Sequence, residues 1–202
     1  MVRSGSIQTV GLGLLGILGG SLLVAAFAVE IPGVWNPLRL VLFNIGAIAV
    51  VIGVHLRQDH VGPRFALMAA ALAIGTNALH AVMVVLAVDR PSPSSGDFGF
   101  VWFGVALSMW LADGLFGVVS LRLGSMWRWG AVALAIGSPL AVLGMGRLDL
   151  TSPDAPTIFG PLALTGVALN GLGWILLGLA LVIRGADRQA ERGVVGTVST
   201  VS

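Results

Sequence analysis

Two ionisable side chains fall in the middle of long apolar runs: Asp113, within Phe98 to Leu121, and His80, within Phe65 to Val88. Three carboxamides, Asn44, Asn77 and Asn170, occupy the same kind of position. Runs of about 20 apolar residues have the length that crosses hydrocarbon as a helix. At about 1.5 Å per residue, Asn44 lies about 10 Å from the outer end of its run, His80 about 12 Å, Asn77 about 16 Å, Asn170 about 20 Å and Asp113 about 22 Å. All five are therefore expected at mid-bilayer depth, facing the interior of a bundle and not lipid.

An ionised carboxylate at that depth costs at least about 2.5 to 3.5 kcal/mol. No arginine lies at the level of Asp113 to pair with it. The group must then be protonated, hydrogen-bonded to Asn170, His80 or a backbone group, or turned toward a wet cavity or a bound cation. Two arrangements meet this demand equally well: a proton or cation site, and a protonated acid donating one interhelical hydrogen bond. For His80 the chemical roles are proton relay or axial haem ligand, because imidazole titrates near neutrality and is a common ligand. A neutral histidine bonded to a carbonyl is the simpler arrangement. A bis-histidine haem has no second ligand at that depth, since His55 and His60 lie at the boundary of the second run. Asn77 and His80, three residues apart, share a helix face. The asparagines also serve as plain hydrogen-bonding glue between helices.

The elements that must position these residues are six apolar blocks, bounded by charged or proline-containing flanks: Gln8 to Val29, Pro37 to Leu56, Phe65 to Val88, Phe98 to Leu121, Trp127 to Gly146, and Thr157 to Ile183. Of 202 residues, 56% are hydrophobic and only 10% are charged, far below the roughly 25% of a soluble domain, so the bilayer is the expected solvent. The connectors carry turn chemistry at Ile31-Pro32-Gly33, Gly62-Pro63, Arg90 to Gly96 and Ser152 to Pro156. They are too short for a second domain. The fold expected is an all-α, polytopic membrane helix bundle of about six spans, a single domain over residues 1–192 with a mobile tail over 193–202.

Orientation follows from the arginines, which are retained on the cytoplasmic side. Arg3, Arg57, Arg64, Arg122, Arg128, Arg184, Arg188 and Arg192 fall in the N-terminus, the second and fourth connectors and the C-terminus. Glu30, Asp89, Asp97, Asp149 and Asp154 fall in the other connectors, with Arg39, Arg90 and Arg147. Both termini are thus expected in the cytoplasm. Arg3, the first apolar block and Ala26-Phe27-Ala28 together resemble a cleavable signal peptide, but the block is longer than an ordinary signal core and a retained anchor is the expectation. Cleavage would leave five spans. The arginine, alanine and glycine content suggests a GC-rich bacterial source and hence a bacterial cytoplasmic membrane.

Absent residue types exclude several functions. Without lysine there is no Schiff base to retinal or pyridoxal, and without cysteine there is no thiolate, disulfide or iron–sulfur cluster. The chain lacks a phosphate-cradling loop, a paired histidine metal motif and a nucleophile elbow. No catalytic residue, metal site or cofactor follows from it. Its arginines form no patch able to follow a nucleic acid. His55, Arg57, Asp59 and His60 could meet a metal or an anionic headgroup, although a solvated connector explains them as well.

Gly16 and Gly20, with Gly13 close by, and Gly166 with Asn170 are small-residue pairs that let helices approach. Pro139, after Ser138, and Pro161 are expected to kink their helices. Trp35, Trp127 and Trp129 are expected as interfacial anchors, while Trp102, Trp110 and Trp174 are more internal, Trp110 sharing a face with Asp113. Ala71 to Gly75 and Ala133 to Gly137 repeat the same five residues, as a duplicated hairpin would.

The reading placed first is a structural or accessory membrane subunit, or a homo-oligomeric membrane component, with a membrane-protein partner or a homodimer through the first helix. The alternative is a small proton- or cation-coupled transporter or channel using Asp113 with Asn44, Asn77, His80 and Asn170. An intramembrane enzyme, or a haem or quinone binder at His80, ranks below both.

Overall fold

The computed structural model describes residues 4–28, 35–57, 64–88, 96–123, 128–145 and 161–198. It is all-helical, with six helices and, among the described residues, no strand. They are α1 (Ser4–Ala28), α2 (Trp35–Arg57), α3 (Arg64–Ala87), α4 (Gly96–Leu123), α5 (Arg128–Met145) and α6 (Pro161–Val198). Each helix packs on its neighbours in sequence, and α6 returns to α1. A further contact joins α2 to α6, so α2 to α6 form a five-membered ring with α1 outside, in the groove between α2 and α6.

Small residues set the register. Gly13 meets Gly178 and Gly20 meets Gly171 between α1 and α6, while Gly19 meets Gly46 between α1 and α2. On α5, Gly130 faces Gly173 and Leu177, Gly137 faces Gly166 and Asn170, and Gly144 faces Ala163. One partner's number rises as the other falls, so these pairs are antiparallel. Glycines seven residues apart stay on one face of a helix, which is the period of left-handed packing. At Gly137 a Cβ would lie 2.6 Å from the Asn170 backbone nitrogen, so the close approach itself requires glycine.

Gly16 and Gly20 are occupied within the chain, against Val50 and Gly178 and against Gly171 and Ile175. These glycines, read as helix-packing residues, seat α1 on α2 and α6. The matching pentapeptides meet opposite surroundings, since Gly75 has nothing within 4 Å whereas Gly137 is enclosed by α6. The likeness is one of sequence and not of environment.

Buried and outward surfaces are both apolar. Phe43, Val50, Met109, Trp110, Phe116, Leu134, Trp174, Leu177 and Leu181 fill the inside, while Phe65, Leu67, Met68, Val85, Leu86, Phe100, Leu111 and Leu143 are exposed outside. Helices apolar all round are those of large cores or membranes, and so wide an exposed apolar surface is foreign to a monomer in water. The surface is compatible with lipid contact. Five helices, α1 to α4 and α6, are long and apolar enough to cross a membrane. The expected span 127–146 falls short of the same standard. α5 has 18 residues and an apolar portion over Arg128–Gly144, about 27 Å of helix at 1.5 Å per residue.

One other expectation changes. Pro161 is the first residue of α6, where a missing N–H costs nothing and the fixed φ suits the helix, so it does not kink it. α6 extends to Val198, past its apolar portion Pro161–Gly185. Pro139 does lie inside α5. Several expectations concern positions outside the described residues: Glu30, the turns at 31–33, 62–63 and 152–156, Asp59 and His60, Asp89 and Arg90, Trp127, Arg147, Asp149 and Asp154, and the terminal Arg3.

The ends of the bundle are tied by arginines. Arg57, closing α2, donates from Nε to Thr9 Oγ1 of α1 at 3.3 Å and from Nη1 to the Arg184 carbonyl of α6 at 3.3 Å. Arg39, opening α2, reaches the Ala25 carbonyl of α1 at 3.5 Å. The start of α1, the end of α2 and the Arg184 turn of α6 therefore lie at one end of the bundle.

Candidate functional site

Asn44, Asn77, His80, Asp113 and Asn170 are all buried, four of them with no accessible surface. The inward stripe of α3 reads Ala66, Ala69, Ala70, Ala73, Asn77, His80, Met83, Val84 and Ala87, the spacing of one helix face. Its alanines bring α2 and α4 close enough for short polar side chains to meet across the gaps.

Asn77 bridges α3 and α4. Its Nδ2 donates to Asp113 Oδ1 at 2.8 Å and back to the Ala73 carbonyl at 2.9 Å. On the other side of the same stripe His80 meets Asn44 of α2. Asn44 Nδ2 lies 3.1 Å from His80 Nδ1 and Asn44 Oδ1 lies 3.3 Å from it, so the amide donates to one tautomer and accepts from the other. Asn44 also donates to the Leu40 carbonyl at 2.6 Å. The Trp102 ring closes over His80 edge-on, with centroids 5.6 Å apart.

Beyond Asp113 lie α5 and α6. Asn170 Nδ2 donates to Ser138 Oγ at 2.8 Å, and Ser138 packs on Gly114, the residue after Asp113. Asn170 and Trp174 flank the Asp113 carboxylate. The Trp174 ring is held by stacking on Phe116 at 5.9 Å, yet its indole N–H closes on no acceptor. Four buried polar atoms have no partner: Asp113 Oδ2, Asn77 Oδ1, Asn170 Oδ1 and Trp174 Nε1. They belong to one cluster on α3, α4 and α6.

Native interiors rarely leave such atoms unpaired, and each costs on the order of 1–3 kcal/mol. Three are acceptors and one is a donor, so the cluster lacks hydrogens or a positive charge. Asp113 is the one buried acid among the described residues, and they gather no group of three His, Cys, Asp or Glu able to hold a metal ion. Multidentate carboxylate chemistry for a divalent cation is therefore not assembled there.

The expected residues thus form two coupled units, Asn44 with His80 and Asn77 with Asp113 and Asn170, joined through one turn of α3. Asp113 bonds to Asn77, not to the histidine considered for it. Ser138 and Trp174 were not anticipated as site residues. Trp174 lies four residues after Asn170, on the same helix face, which was the available signal. Trp110 is buried in the core cluster, and Trp129 is exposed at the start of α5. His55 is exposed at the end of α2, away from the cluster. Pro139 cannot bond the Ala135 carbonyl one turn back, next to the Ser138 that meets Asn170. No protein-family model, curated protein or solved structure matches the chain.

Proposed function

We propose that the chain is an integral membrane protein crossing the bilayer six times, with both termini cytoplasmic, and that the Asp113 cluster binds a proton or a small monovalent cation coupled to transport or conduction. The observation that carries this reading is the set of unpaired atoms around a fully buried carboxylate. Hydrogen-bonding glue needs its members satisfied, whereas this cluster holds three open acceptors. The sixth span is α5, at the short end of the roughly 17–25 residues that cross hydrocarbon. Arg57 and Arg184 at one end of the bundle support a single cytoplasmic face, which also takes in Arg64, Arg122 and Arg128 at the helix ends.

The test is flux in sealed liposomes, read with dyes sensitive to protons and to sodium. Reconstituted protein is expected to dissipate one of the two gradients, and Asp113→Asn to abolish that movement while the helical spectrum stays unchanged. Equal flux from both proteins would reject the reading.

A second reading, an accessory subunit or homo-oligomer, is supported by a different surface. Ala71, Gly75 and Ala78 on α3, and Gly104 and Ser108 on α4, are exposed small residues on the outer face. A partner helix can approach closely there. Native mass spectrometry from mild detergent separates the two readings. A defined partner or oligomer favours the subunit, and a monomer leaves the ion site as the function.

A further inference from the structure

We infer that the occupant of the cluster is a proton on Asp113 Oδ2, and that its arrival and departure switch the carboxyl group between two partners on α6, Asn170 and Trp174. This rests on the ion-site reading above and goes further by naming the ion and the element that senses it.

The four unpaired atoms sort by hydrogen-bonding type. Asp113 Oδ2, Asn77 Oδ1 and Asn170 Oδ1 accept, and Trp174 Nε1 only donates. Asp113 Oδ1 is already engaged by Asn77 Nδ2 at 2.8 Å, so the second oxygen carries any change of state. When a hydronium ion delivers a proton, an O–H bond forms at Oδ2 and a water molecule leaves. The new donor matches the open Oδ1 of Asn170. When water takes the proton away, Oδ2 becomes a full acceptor and matches the open Nε1–H of Trp174. Each state thus pairs Asp113 Oδ2 with a different one of the open atoms on α6.

A metal cation fits the same atoms less well. It would engage the three oxygens but leave the Trp174 N–H dipole pointing its positive end into a site that already holds a positive charge. Trp174 cannot turn away freely, being fully buried and stacked on Phe116. The surroundings supply no competing charge. α4 packs on α3 and α5, which bring Asn77 and Ser138 to the site, while α6 brings Asn170 and Trp174. His80, one turn along α3, is the other titratable side chain buried among the described residues. It is bonded to Asn44 on the far side.

The exchange has a route outward. Asn170 is held to Ser138 of α5 at 2.8 Å, beside the helix turn loosened by Pro139. A carboxyl group that pulls alternately on Asn170 and on Trp174, one turn apart, shifts α6 against α5 at its weakest backbone position. Proton occupancy is then read as movement of α6.

Infrared difference spectroscopy on the full-length chain in liposomes tests this, with pH stepped in sodium chloride and again in choline chloride. The carboxylic-acid band assigned by its loss in Asp113→Asn, and the indole N–H band assigned by its loss in Trp174→Phe, are expected to titrate together and identically in both salts. In Asn170→Leu the carboxylic-acid band is expected at the frequency of an acid that donates no hydrogen bond. That shift reports on the pairing even if Asp113→Asn fails to fold. A carboxyl band displaced by sodium but not by choline would overturn the proton assignment and leave the ion-site reading standing. An indole band that titrates unchanged in Asp113→Asn, or an unshifted acid band in Asn170→Leu, would overturn the partner switch. A carboxyl signal that responds neither to pH nor to sodium would overturn both.

Discussion

Replacing Gly137 by alanine adds one methyl group where α5 and α6 touch. The new Cβ would lie 2.6 Å from the Asn170 backbone nitrogen, 2.8 Å from the Gly166 carbonyl oxygen and 2.8 Å from Leu169 Cβ. Carbon atoms in good contact sit about 3.5–4.0 Å apart, so the helices must separate by about 1 Å at this level, since backbone atoms cannot swing aside. Overpacking of that kind costs about 1–3 kcal/mol. The Asn170 to Ser138 bond, 2.8 Å long and on the same turn, would stretch beyond bonding range and remove roughly 0.6 kcal/mol more, the mean for hydrogen bonds between membrane helices. Gly75→Ala is the matched control, because the residue occupies the same place in an identical pentapeptide and has nothing within 4 Å. Alanine's better helix propensity, worth up to about 1 kcal/mol, acts on both variants and cancels in their difference. Reversible unfolding in mixed detergent micelles should show Gly137→Ala about 2–4 kcal/mol less stable than Gly75→Ala. Equal stabilities would refute the close α5–α6 approach and the ring that depends on it.

Asn77→Leu leaves Asp113 Oδ1 without its donor in a fully buried site; a loss of about 1–3 kcal/mol is expected in the same unfolding assay, and unchanged stability would contradict the Asn77–Asp113 bond. Topology can be tested directly, since the chain has no cysteine and single cysteines report sidedness without background: Arg64→Cys and Arg122→Cys should label from the cytoplasm and Asp97→Cys from outside. The opposite pattern would invert the orientation drawn from the arginines. Arg57→Met removes the donors to Thr9 and to the Arg184 carbonyl, and faster amide exchange near residue 184 is expected with little change around Asp113.

Helix ends were legible because charged residues and prolines punctuate an otherwise apolar chain. The blocks Pro37 to Leu56 and Phe65 to Val88 match α2 and α3 to within a residue or two. The apolar part of α6, Pro161–Gly185, likewise ends within two residues of the sixth block's end at Ile183, while helix geometry continues past it to Val198. The burial of the polar residues among the helices was legible from their place inside apolar runs. Which of them meet was not. On antiparallel helices Asp113 lies level with several candidate partners, and the rotation of α3 decides that Asn77 and not His80 reaches it. Trp174 escaped notice because an aromatic residue in an apolar run reads as packing, and only its unpaired N–H beside the acid marks another role. The seven-residue glycine spacings at 130, 137 and 144 were visible in the sequence, yet short small-residue pairs are so common in alanine-rich helices that the longer period stands out only once α6 is seen against it.

The most direct test of the Asp113 site is charge displacement on a solid-supported membrane carrying the reconstituted protein, because it detects binding within the bilayer even where turnover is slow. A step in proton or sodium concentration should give a transient current in the native protein and none in Asp113→Asn. A transient of equal size in the two proteins, or none in either, would contradict an ion site at Asp113 and leave the cluster as packing between helices.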